Sequence, residues 1–104
     1  MRELLYQAAD HFKRGQELAA EGNAKAAAEA YADALRDLHA VRPHRMRDVL
    51  LAQVYLSRAT IEAHVDPNRA DTDFRMGYAY ARTTGEPHVR ELAERMRSER
   101  LTTP

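Results

Sequence analysis

Apolar residues recur along this chain at spacings of three and four, and clusters of Gly, Asn, Asp and Pro interrupt them. The first stripe, Leu4, Leu5, Ala8, Phe12, Gly15, Leu18 and Ala19, predicts a helix from about Arg2 to Ala20. Glu21-Gly22-Asn23 ends it, since Gly22 suits a left-handed residue after a helix and Asn23 suits the cap of the next. Ala27, Ala30, Tyr31, Ala34, Leu35, Leu38 and Val41 predict a second helix from about Ala24 to Val41, stopped by Pro43. The third, from about Met46 to His64, is apolar on two sides: Leu50, Val54, Ser57 and Ile61 on one, Val49, Leu56, Thr60 and Ala63 on the other. A helix of that kind is expected between two neighbours. Asp66-Pro67, an N-cap followed by Pro at the first helical position, opens a fourth helix to about Thr83, with Ala70, Phe74, Gly77, Tyr78 and Ala81 inward. Thr84-Gly85 closes it, and Pro87 opens a fifth to about Leu101, whose single stripe is Val89, Leu92, Ala93 and Met96.

The connecting segments are short, which makes successive helices antiparallel. The expected fold is all-α, with one domain over residues 1–104: a hairpin at about 2–41, a second at about 46–83 and a capping helix at about 87–101. Composition agrees. Apolar residues make up 44% of the chain and charged ones 31%, an ordinary globular balance. The apolar share leans on Ala, with Val and Ile scarce, which favours helix over sheet.

The first hairpin carries a recognisable order of sizes. Small residues at Gly15 and Ala27 allow close approach of two helices, Tyr31 fills the space beside them, and Leu18, Gly22 and the pair Ala34-Leu35 complete the pattern. Ala8 to Val41, about 34 residues, resembles a tetratricopeptide repeat. It departs from the pattern at His11 and Arg14, where Trp and Leu are usual, and in a late Pro43. A weaker copy follows from about Leu51 to Thr84, with Ala70, Phe74, Gly77 and Tyr78 at the offsets of Ala27, Tyr31, Ala34 and Leu35. There Arg58 falls on the small-residue position, and a slip of one residue puts Ala59 on it, so the register of the third helix stays open. The run from Gly77 to Leu101 is similar to the ends of tetratricopeptide regions in actinobacterial helix-turn-helix regulators, with Glu86 where a capping Ser is usual. Arg residues number 14 against 2 Lys, which fits a GC-rich bacterial source.

The resemblance implies a two-repeat superhelix whose first helices line a concave groove. Carried over by register, that groove presents Phe12, Gln16 and Ala19 from the first helix, and Tyr55, Ala59 and Glu62 from the third. Phe12 and Tyr55 are then either apolar anchors for a partner or core. Phe12 and Gln16 stand where the carboxylate clamp of chaperone-binding arrays has Lys and Asn, which argues against ligands of that type. In an array this short, either the fifth helix completes the core or a second copy of the chain does. Leu4, Leu5 and Tyr6 are the expected surface for a second copy.

Charge and motif content narrow the chemistry. The formal net charge is zero, so there is no global excess of cations for nucleic acid or for an anionic membrane. Arg42, Arg45 and Arg47 with His44 form a local basic cluster, a candidate contact for phosphates or an acidic partner. There is no cysteine, and the histidines at 11, 39, 44, 64 and 88 lack the spacing of a metal site. The carboxylates read as helix surface, with Asp71 and Asp73 favourable near a helix start. No phosphate-binding Gly-rich loop or nucleophile elbow occurs. No apolar run approaches the ~20 residues of a membrane span, and no signal peptide opens the chain. These features together predict a cytoplasmic, non-catalytic module without cofactor or metal, binding a protein or peptide partner. The alternative is the ligand- or peptide-sensing domain of a bacterial transcriptional regulator.

Overall fold

The structure, a computed structural model, describes residues 2–102. It consists of α1 (Arg2–Ala20), α2 (Ala24–His39), α3 (Arg45–Glu62), α4 (Pro67–Thr84) and α5 (Pro87–Thr102). Two boundaries differ from the periodicity. α2 ends at His39, because the Ala40 and Val41 amides turn back to the Asp37 and Leu38 carbonyls and tighten the last turn. α3 ends at Glu62, and the Asp66 amide bonds to the Glu62 carbonyl to close the turn.

Side chains cap the starts of α2 to α5, and glycines end α1 and α4. Asn23 Oδ1 accepts from the Ala26 amide and Asp66 Oδ1 from the Arg69 amide, each at 3.2 Å. His44 caps α3 through Nδ1, which accepts from the Arg47 amide at 3.2 Å. Glu86 does the work expected of a Ser: its Oε2 accepts from the Val89 amide at 2.8 Å. That bond holds the Glu86 carboxyl below its usual range. Gly22 and Gly85 have φ of +82° and +65°, the left-handed conformation that ends α1 and α4.

α1 packs on α2, α3 on α4, and α2 on α3, while α5 lies against α4 and α3. α1 also touches α3, whereas α2 and α4 flank α3 without meeting each other. α3 is therefore the central helix, as its two apolar sides predict. One side joins a core of Ala8, Leu18, Ala27, Tyr31, Ala34, Leu35, Leu38, Leu51, Val54 and Tyr55. The other joins Ala52, Leu56 and Ala59 to Phe74, Ala81, Val89 and Ala93.

The two hairpins achieve close approach in opposite ways. In the first, Gly15 of α1 lies against the Tyr31 ring, and a Cβ there would stand 2.5 Å from Tyr31 Cδ1. In the second, the small residue is on the second helix. A Cβ at Gly77 would stand 2.7 Å from Leu56 Cγ and 3.1 Å from the Leu56 backbone nitrogen. With Gly77 supplying the space, the position of Gly15 in α3 is free to hold a large side chain.

Candidate functional site

Two grooves follow from this packing, and Ile61 of α3 lines both. On the face shared with α1 and α5, a shallow groove of about 270 Å³ is lined by Gln16, Ala19, Tyr31, Leu56, Ser57, Thr60, Ile61 and Leu92. Beyond Ile61, α2 and α4 stand apart over the end of α3. A groove of about 620 Å³ opens there, between α2 and the α3–α4 turn. Its apolar wall is Ala24, Ala28 and Ala32, one face of α2 at a spacing of four, and Ile61 and Val65 oppose them. Val65 is 77% exposed, a large apolar side chain left in water by the turn. Lys25, Glu29, Asp66 and Arg69 stand at the rim, and Glu62 completes the lining.

The residues carried over from the repeat register do not share one face. Gln16 and Ala19 do line the α1–α3–α5 groove. Phe12 is half-buried on the Tyr31 ring, with centroids 5.8 Å apart. Tyr55 faces away from that groove: its hydroxyl bonds His39 Nε2 at 2.9 Å and its ring stacks on Tyr80 at 6.2 Å. Ala59 is core, packed with Phe74 and Leu56. Glu62 belongs to the other groove. In place of Tyr55 and Ala59, α3 offers Ser57 and Ile61 to Gln16 and Ala19. A two-residue displacement rotates a helix by ~200°, enough to exchange its faces.

The basic cluster is also divided. Arg47 is buried, donating from Nη1 to the Val41 carbonyl at 3.1 Å and from Nε to Asp48 Oδ1 at 3.0 Å. Arg45 Nε donates to the Thr84 carbonyl at the end of α4, at 3.2 Å. Only Arg42 of the three is left exposed without such a bond, and His44 Nδ1 is taken up by the Arg47 amide. These side chains fasten the α2–α3 connection. On the first turns of α1, Leu5 packs onto the core while Tyr6 is 66% exposed.

The sequence reading did not assemble a buried ionic cluster that lies beside Glu62, which lines the larger groove. Arg58 of α3 grips Asp73 of α4 with two bonds, Nε to Oδ2 at 2.7 Å and Nη2 to Oδ1 at 2.8 Å. Asp73 is 2% exposed, so it is not the solvated helix-start residue that its position suggests. Asp71 is the surface residue, pairing with Arg75 and Arg100. Hydrogen bonding to Asp73 holds the Arg58 guanidinium above its usual pKa.

Glu62 lies next to this pair and is 9% exposed. Its Oε1 is 4.0 Å from Arg58 Nε and 3.6 Å from Arg69 Nε. Its Oε2 is buried and has no hydrogen-bond partner. Burial first, and the neighbouring Asp73 carboxylate second, push the Glu62 carboxyl up to about 7. One sequence signal pointed here: a charged Arg58 at the position the first hairpin gives to Gly15, with Glu62 one turn further on.

Among the described residues no group of three or more His, Cys, Asp or Glu is placed to hold a metal ion. No described helix is long and apolar enough to cross a membrane. No family model matches the chain, and neither the curated proteins nor the solved structures contain a significant match.

Proposed function

We propose that this chain is a non-catalytic interaction module of tetratricopeptide type that takes a segment of a partner polypeptide into the groove between α2 and the α3–α4 turn. The observation that carries this reading is the groove itself. Its apolar wall runs two turns along α2, from Ala24 to Ala32, about 12 Å at the helical rise. That length and a volume of about 620 Å³ suit several side chains of an extended or helical segment.

A carboxyl group poised near neutrality is also what general acid–base catalysis uses. The lining favours binding over catalysis. Among the described residues around the groove there is no Ser, Thr, Cys, His or Tyr to act with Glu62 on a substrate, and the wall is mainly Ala, Ile and Val. Arg58 and Asp73 are committed to each other.

The test is a selection of displayed random peptides against the full chain, followed by methyl NMR of the selected sequences. Selected peptides are expected to shift Ala24, Ala28, Ala32, Ile61 and Val65. Shifts confined to Ala19, Leu56 and Leu92 would move the site to the α1–α3–α5 groove, and a selection without binders would remove the reading.

A further inference from the structure

We propose that the groove selects a cationic side chain, so that the partner segment presents a Lys or Arg among apolar residues and seats its charge on the Glu62 carboxylate. This inference rests on the reading of the groove as a peptide site and adds the chemistry of its occupant.

The argument is one of charge and hydrogen-bond accounting. Around the groove and beside it, four carboxylates, Glu29, Glu62, Asp66 and Asp73, face three cations, Lys25, Arg58 and Arg69. Arg58 and Asp73 form a closed two-bond pair. Glu62 is left with the longer approaches of Arg58 and Arg69. Both of its cationic neighbours approach Oε1, at 4.0 and 3.6 Å, and neither reaches Oε2. A buried acceptor without a donor carries a desolvation cost that a ligand donor removes. The surrounding Ala24, Ala28, Ala32, Ile61 and Val65 suit the methylene stem of a long basic side chain, which buries its carbons while its head finds a charge.

Without a ligand, Glu62 has another way to satisfy that oxygen. Once protonated it hydrogen-bonds to Asp73, one of the causes of its raised pKa of about 7. A proton and a ligand cation therefore compete for the same carboxylate. The groups facing it are Arg58 from α3, Asp73, Arg69 and Asp66 from α4 and its cap, and Lys25 and Glu29 from α2. A bound ammonium favours the ionised form, so binding expels the proton near and below neutral pH.

The experiment uses n-pentylamine, the side chain of Lys without its backbone, against the full chain. Pentan-1-ol serves as the neutral isostere, and methyl and carboxyl NMR as the readout. Pentylammonium is expected to shift Ala28, Ala32, Ile61 and Val65 and to lower the titration midpoint of Glu62. It is expected to bind at least tenfold more tightly than the alcohol. Its affinity falls about tenfold from pH 8 to pH 6, the competition expected of one proton at a site of pKa about 7. Glu62→Gln is the control for folding, because its amide reproduces the protonated group and keeps a donor for Asp73. It is expected to leave the circular dichroism unchanged and to remove the preference for the amine.

Equal binding of amine and alcohol overturns the role of Glu62 and leaves the groove reading intact. Absence of shifts with both probes overturns the inference, and the peptide selection then decides the groove separately. A blocked peptide with one Lys among Leu and Ala is expected to bind more tightly than pentylamine. If it binds more weakly, the occupant is a free amine and the partner segment is wrong.

Discussion

Arg58 holds Asp73 across the α3–α4 interface by two bonds of 2.7 and 2.8 Å, and both side chains are buried. Arg58 occupies the place that Gly15 has in the first hairpin. A small residue there brings two backbones together, whereas an Arg with a carboxylate opposite locks them by geometry. Such pairs recover their desolvation only while both members are present.

Removing one member is therefore the severe change. Arg58→Met and Asp73→Leu are each expected to lower stability by ~3–5 kcal/mol, because the partner is left buried and charged. The double variant is expected to lose much less than the sum of the two. Urea denaturation of the four proteins checks this, and additive losses would show that the ion pair is not the coupled unit described.

Glu62 gives stability an unusual slope. Its carboxyl is raised from 4.5 to about 7 in the folded protein, so the folded state binds a proton that the unfolded chain has released. The contribution is complete below about pH 4.5 and is lost as pH rises through about 7. Glu62→Gln is expected to be more stable than the parent above pH 7, by up to ~3 kcal/mol, and close to it below pH 5. Chemical denaturation at pH 5 and pH 8 tests the sign.

His39 opposes that slope. Burial, and then the charge of Arg47, hold the ring below its ordinary 6.5. The unfolded chain thus takes up a proton first as pH falls through 6.5, and stability from this residue declines on the acid side. His39→Gln is expected to flatten that decline, while Tyr55→Phe, which removes the 2.9 Å bond to His39, costs about 1 kcal/mol. Tyr55→Ser, by contrast, removes a core ring and is expected to cost ~3–5 kcal/mol. Loss of partner binding in that variant would accordingly report unfolding, which thermal melts will reveal.

Gly15→Ala and Gly77→Ala set helix propensity against space. Ala gains about 1 kcal/mol over Gly in a helix. At Gly15 the new Cβ meets the edge of the Tyr31 ring, which is 2% exposed and enclosed, and at Gly77 it meets Leu56 close to the backbone. Overpacking of ~1–3 kcal/mol is expected to win at both sites. Gly15→Ala should be partly rescued by Tyr31→Leu and Gly77→Ala by Leu56→Ala, measured as shifts in the denaturation midpoint.

The helices were legible in the sequence because their signals are local. A period of three to four, Asn23 and Asp66 as caps, Gly22 and Gly85 as stops, and Pro67 and Pro87 as first residues each act within a turn or two. Those features determined five helices and their antiparallel order. The α1–α3–α5 groove was legible only in part: Gln16 and Ala19 line it, but Tyr55, Ala59 and Glu62 do not. The rotation of α3 about its axis is not a local property. It is decided by where Gly77 lets α4 approach Leu56, and by which α3 side chain Asp73 can reach. A helix apolar on two sides tolerates several rotations as far as its own pattern is concerned. Only packing against two neighbours selects one, and that choice placed Glu62 beneath the alanine face of α2.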